Sequence, residues 1–370
     1  MKRGTKSMVP KGFSRRSVLQ GSAAIGVASV IGGTLGLAKN ARAQPANVHY
    51  ELAIDFLDDA RVYNGNLLGP TMRIRPGDTL DVDLINNLPA LHDDCTDNHN
   101  QEHGLNTTNF HTHGLHVSPS TDSTGEFDAD NVFVSLVPED QIVACEEVCG
   151  VDVKTMFRYG SNRFRFELPD DHITGTFWYH AHKHGSTAVQ VGDGLAGPLI
   201  VEDEPGVMPD YIEQAVERIF FVTNRGMMLV DEQGGGEMNP EITMRPGEVQ
   251  RWRVINGTGN GTDFAFMRPN IANLEMHLIA FDGVTQDRRI PVDYEALDEP
   301  WFNPSALASG NRADFIVRAP SVAEPRDTLR STNLSRVVDM PIKIEGAPVD
   351  ALWSNEDTLP GRGAYPVRRY

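Results

Sequence analysis

Two short motifs carry the residues best equipped for chemistry. One is Asn109-Phe110-His111-Thr112-His113-Gly114; the other is Trp178-Tyr179-His180-Ala181-His182-Lys183-His184-Gly185. Imidazole is a borderline ligand that suits copper, zinc, iron and nickel. In a β-strand, residues i and i+2 point to the same face. An extended backbone therefore projects His111 with His113, and His180 with His182. Two such strands side by side would gather four imidazoles into one small space. A single His-x-His pair is often no more than a polar patch on a strand; two of them, each followed by glycine, read as a metal site. A zinc hydrolase would want a further ligand at typical spacing and a general base, and neither motif has the His-Glu-x-x-His form. The large neighbours Phe110, Phe177, Trp178 and Tyr179 are expected to dry and stiffen the site. His184 reads as an outer or surface residue, and His116, His172 and His277 as structural.

The elements that must position these side chains are strands. Thr79 to Asn86 alternates Leu80, Val82 and Leu84 after a Pro-Gly turn, the pattern of a half-buried strand. Strand-like runs recur at Phe164–Leu168, Gly175–His180, Ala196–Val201, Arg218–Thr223, Met276–Phe281 and Ala313–Val317. No long amphipathic helix competes. The chain also repeats itself. Pro70 to Asn86 and Pro240 to Asn256 align without a gap at a spacing of 170, sharing Pro, Arg-Pro-Gly, an acidic residue and Ile-Asn. That period is too long for a solenoid unit and predicts two related all-β domains. Many short strands with Gly, Pro and Asn turns predict Greek-key sandwiches. The expected boundaries are 44–203 for the first domain, 204–347 for the second, and 348–370 for an irregular tail or the start of a further domain. The polar stretches Ala90–Thr108 and Val117–Asp130 are expected to be surface loops.

Composition narrows the function. The 370 residues hold 33 Lys+Arg against 51 Asp+Glu, a formal charge of −18. Such a surface repels a phosphate backbone, so nucleic acid is an unsuitable partner. No P-loop, dinucleotide fingerprint or Ser/His/Asp pattern is evident. Ten of the 12 histidines fall between His92 and His184, and only His277 follows. Three cysteines, Cys95, Cys145 and Cys149, leave an odd count; Cys145 could pair with Cys149, or either with Cys95.

Residues 1–43 read as an export signal. Arg15-Arg16 precedes a weakly apolar run from Gly21 to Leu37 and then Ala41-Arg42-Ala43. Paired arginines with a Gly- and Ala-rich core point to the Tat route and a periplasmic or extracellular destination. Cleavage there would remove eight basic residues and no acid, leaving 25 against 51. No later run approaches the length of a membrane span.

Taken together, the two histidine motifs resemble those of the multicopper oxidases, the family of laccases and bacterial cuprous oxidases. The segments Asp130–Pro138, Glu167–His180 and Met238–Asn256, and the run from Leu278 to Val317, are also similar to that family, over about residues 45 to 345. The resemblance implies tandem cupredoxin-like sandwiches. It implies that His111 is a type 2 copper ligand and that His113, His180 and His182 are ligands of a type 3 pair. In the family this cluster reduces O2 to water with electrons taken from a donor through a type 1 copper. Here the sequence has no His-Cys-His and no His-Pro-x-His-x-His, so it resembles the first two domains of a three-domain oxidase. The expected function is copper-dependent one-electron oxidation coupled to O2 reduction. The rest of the ligands would come from elsewhere, possible sources being a longer chain or a separate one. Two other readings compete: an exported scaffold of the same fold, and a copper-holding protein using the loop from His92 through Cys95, His99 and His103.

Overall fold

The computed structural model describes residues 45–361 except 97, 99, 121–124, 149, 260–263, 267–273, 293–305 and 334–335. The export signal expected at residues 1–43, His99, Cys149 and the last residues of the tail lie outside them.

The strands build two sandwiches. In the first, one sheet runs Ser161–Glu167, Thr79–Asn86, Asn47–Leu57, Ala60–Tyr63, and the other runs Met72–Ile74, Ala196–Val201, Gly175–His180, His111–His113. Leu80, Val82 and Leu84 alternate inward as expected. They meet Phe164 and Phe166 from the neighbouring strand and Phe110, Phe177 and Tyr179 from the opposing sheet, all buried. Each such side chain contributes roughly 1.5–3 kcal/mol by leaving water.

The second sandwich pairs a seven-stranded sheet, centred on Val249–Asn256, with a five-stranded one ending at Ile242–Met244. The repeat is a structural one. Met72–Ile74 and Thr79–Asn86 recur as Ile242–Met244 and Val249–Asn256. Both copies turn alike: Arg75 N–H donates to Asp78 Oδ2 and Arg245 N–H to Glu248 Oε2, each at 2.8 Å. The turn needs a left-handed residue, supplied by Gly77 (φ 88°) and Gly247 (φ 76°). Among the described residues the helices are short (Val153–Met156, Thr187–Asp193, Asp210–Glu213), and none is long and apolar enough to cross a membrane.

Two points differ from the sequence pattern. Val249–Asn256, the repeat of the half-buried Thr79–Asn86, is buried along its whole length rather than on one face. The first sandwich covers its second face, and the polar residues there are paired. Asp314 accepts from Arg251 Nη2 at 2.8 Å and Arg253 Nη1 at 2.7 Å, and also from the Thr176 hydroxyl. Arg251 further pairs with Asp203 at 2.9 Å, and Glu217 bridges Arg253 and Arg73. Trp178 and Phe221 add an apolar contact across the same junction. The stretch Ala90–Thr108 is likewise not simply a surface loop. Asp94, His103, Asn106, Thr107 and Thr108 are buried. Gln190 reaches into it, donating to the carbonyls of Leu105 at 3.0 Å and Thr107 at 2.7 Å. A disulfide joins Cys95 to Cys145, closing a loop across 50 positions. Buried backbone must find partners, and here a helix and a second loop supply them.

Candidate metal centre

His111–His113 is an edge strand paired antiparallel to Gly175–His180, with His111 opposite His180 and His113 opposite Trp178. That register brings the imidazoles together. Ring centroids lie 5.0 Å apart for His111 and His182, 5.2 Å for His111 and His180, and 5.5 Å for both His113–His180 and His180–His182. Ligand-capable nitrogens of His111, His113 and His180 all fall within 4.8 Å of one another. All four histidines singled out in the sequence therefore converge.

The pleat explains three of the four. The second strand ends at His180, and His182 lies just past it. Its place is set by Asn109, whose Oδ1 accepts the His182 N–H at 2.6 Å while its Nδ2 donates to the Val132 carbonyl at 2.9 Å. The aromatic neighbours also divide by the pleat. Only Trp178 shares the His180 face; it stacks on His180 at 4.2 Å and on His113 at 4.9 Å. Phe110, Phe177 and Tyr179 point the other way into the core, so they stiffen the strands from beneath rather than dry the site.

The nitrogens are sorted by their hydrogen bonds. Asp130 Oδ1 lies 2.7 Å from His111 Nδ1, and Thr112 holds that carboxylate through its hydroxyl at 2.8 Å and its N–H at 3.3 Å. His180 Nδ1 lies 2.9 Å from the Ala181 carbonyl. Both rings then keep the proton on Nδ1 and turn a bare Nε2 inward. His180 Nε2 sits 3.3 Å from His113 Nδ1, a spacing that suits two nitrogens each about 2.0–2.1 Å from one ion. His182 Nδ1 is buried without a partner among the described residues. The close approach of the His113 and His180 nitrogens and the orphaned His182 ring nitrogen both fit a resident metal. Asp130 is the residue that motif reading missed; its only signal was its place at the head of Asp130–Pro138.

Burial keeps the rings neutral. It pushes the His113 pKa down to about 3, with the Arg312 guanidinium adding to the effect. His180 and His182 are lowered chiefly by burial as well. The other histidines behave as structural residues. His172 holds the His116 N–H on Nε2 at 2.9 Å, and His184 is exposed, facing Phe133. Burial also lowers the pKa of His172 and of His277.

A pH profile follows from the signs. These five histidines are neutral when folded and titrate near 6.5 when unfolded. Below about pH 6.5 the unfolded state binds more protons, so acidification destabilises the fold. Glu217, held down to about 2 by Arg253 and Arg73 against the opposing effect of burial, adds a second loss below about pH 4.5. Urea midpoints of metal-free protein are expected to be level above pH 7 and to fall steadily from pH 6.5 to pH 4. A flat profile over that range would contradict the buried neutral rings.

Paired β-sandwiches turn two His-x-His strand motifs toward one point, an arrangement that could hold a metal ion, and the similarity to known proteins is of the same kind. Residues 150–206 match the family model described as multicopper oxidase. A multicopper oxidase of Staphylococcus haemolyticus (strain JCSC1435) is 30% identical over 237 residues, 60% of this chain and 42% of that protein. Laccase-4 of Thanatephorus cucumeris is 26% identical over 319 residues, 77% of this chain and 51% of that protein. A solved multi-copper oxidase from Pseudomonas thermotolerans has the same fold, with TM-score 0.53 and 22% identity over 88% of this chain and 69% of its own. The chain is thus similar in sequence to multicopper oxidases over part of its length and shares the fold of a solved one. It spans about two fifths to half the length of these curated relatives.

Proposed function

We propose that this chain forms the copper-binding half-site of an exported oxidase that couples one-electron oxidation of a donor to reduction of O2 to water. The observation that carries the reading is the convergence of the His111, His113 and His180 nitrogens within 4.8 Å of one another, with the His182 ring 5.0 Å from that of His111. Copper, when bound, supplies the one-electron chemistry. The protein's own residues prepare the place. Asp130 keeps the proton on His111 Nδ1, and the Ala181 carbonyl does the same for His180. Burial leaves His113 and His180 unprotonated at neutral pH, so no proton competes with the metal. Trp178 fixes two ring planes by stacking. A net charge of −18 draws cations toward the surface.

These 370 residues hold four of the family's ligand histidines and no Cys/His set for a type 1 copper. The remaining ligands come from residues outside them, on a longer chain or a separate one. The partners are then O2, an electron donor yet to be identified, and the protein segment that completes the cluster. Tat export to the periplasm or cell exterior is supported by Arg15-Arg16 and by the Cys95–Cys145 disulfide, which an oxidising compartment preserves.

Titration of the purified protein with copper, followed by metal analysis after desalting, tests the reading. At least one tightly held copper per chain is expected, with negligible O2 consumption on a phenolic donor. No retained copper would overturn the half-site. Vigorous O2 turnover by this chain alone would overturn its incompleteness.

A further inference from the structure

Resting on the copper reading, we infer that the second sandwich builds part of the half-site: the turn ending at Gly310, together with Arg312, positions His113. His113 is held on three sides. Trp178 covers one face at 4.9 Å, and His180 Nε2 meets Nδ1 at 3.3 Å. Gly310 closes the remaining edge. A Cβ built on Gly310 would lie 3.0 Å from His113 Cε1 and 3.4 Å from Nε2. Any side chain there would press on the ring, and φ of 90° already favours glycine.

The turn is itself fixed. Gly310 N–H donates to the Asn256 carbonyl at 2.7 Å, and the Gly310 carbonyl accepts from Arg312 Nη1 at 3.2 Å. Arg312 Nε donates to the carbonyl of Thr176, on the strand that carries His180, at 3.1 Å. The same guanidinium lies 5.5 Å from the Phe177 ring centre and so close beneath Gly114 that a Cβ there would fall 2.5 Å from Nη2. Asp282 anchors it, accepting the Arg312 N–H at 2.9 Å and pairing with Nη1 at 3.2 Å. One buried arginine thus ties the turn against the His113 ring to the strand of His180 and to the backbone that follows His113. Shifting one sandwich against the other would move this turn relative to the His113 ring that it abuts. Gly310 and Arg312 are positioning residues for this ligand.

The test compares Gly310→Ala with Gly346→Ala. Gly346 has φ of 97°, so the backbone strain is alike, but its nearest neighbour to a Cβ is Arg245 Cγ at 3.6 Å. Copper affinity is read by chelator competition, the bound Cu(II) environment by its electron paramagnetic resonance spectrum, and the ring position by a crystal structure of the metal-free variant. Gly310→Ala is expected to weaken copper binding at least about tenfold, to change the spectrum, and to displace His113 from its stack on Trp178. Gly346→Ala keeps parental values. If Gly310→Ala does not fold, Arg312→Lys, which keeps the charge but cannot span both carbonyls, is read the same way. A folded Gly310→Ala with His113 in place and affinity within twofold of the parent would overturn the inference. So would equal losses in Gly346→Ala. Should the parent itself hold no copper, the copper reading fails, while the position of His113 in the metal-free crystal still decides this one.

Discussion

His180→Ala is expected to lower copper affinity by about 100-fold or more, while the circular dichroism spectrum keeps its β signature. His180 sits at the centre of the cluster. It faces His111 across the strand pair, offers Nε2 3.3 Å from His113 Nδ1, and stacks on Trp178. Removing its ring deletes a donor outright and frees Trp178 and His113 to shift. Changing only a group behind a ligand costs typically 10–100-fold, so Asp130→Asn should fall between the parent and His180→Ala. That ordering is the sharper part of the test. Asp130→Asn keeps a hydrogen-bond acceptor near His111 Nδ1 but loses the charge that holds the proton there. Affinities by chelator competition that reverse the order, or a His180→Ala protein within threefold of the parent, would mean the ion sits elsewhere.

The second large effect concerns the fold. Asp314→Ala is expected to destabilise the protein by about 3–5 kcal/mol, the cost of stranding a buried charge. Asp314 is 1% exposed and accepts from Arg251, Arg253 and Thr176. Its loss leaves two buried guanidinium groups facing one another, with Asp203 and Glu217 as their remaining counter-charges. Thr176 belongs to the strand that ends in His180, so the damage should also reach the metal site. Urea unfolding measures the first effect and copper competition the second. A change in stability below 1 kcal/mol would show that water readily replaces Asp314 and that the junction is looser than its geometry indicates.

Short-range pattern made the strands and the histidine cluster legible. A His-x-His spacing on an extended backbone needs only the two-residue pleat to put both rings on one face. The 170-residue repeat was readable because each copy carries the same turn chemistry, down to the acidic side chain that caps the Arg-Pro-Gly turn. Less legible were the residues whose roles depend on what lies opposite. Arg251 and Arg253 alternate with apolar neighbours as if facing water, yet both are buried because another sandwich covers that face. Phe177 and Tyr179 flank the site in sequence and point away from it in space.

The sequence by itself determined the all-β character, the repeat and the identity of the four histidines, since each is written in local spacing and side-chain type. Tertiary structure alone decided how they work together. The strand register set His111 against His180, and Asn109 placed His182 beyond the end of its strand. Packing chose Cys145 as the partner of Cys95, a matter the odd count left open. Asp130 is 19 positions from His111 and Arg312 is 136 from Thr176. Contacts at such separations follow from how whole sheets stack, which no window of neighbouring residues encodes.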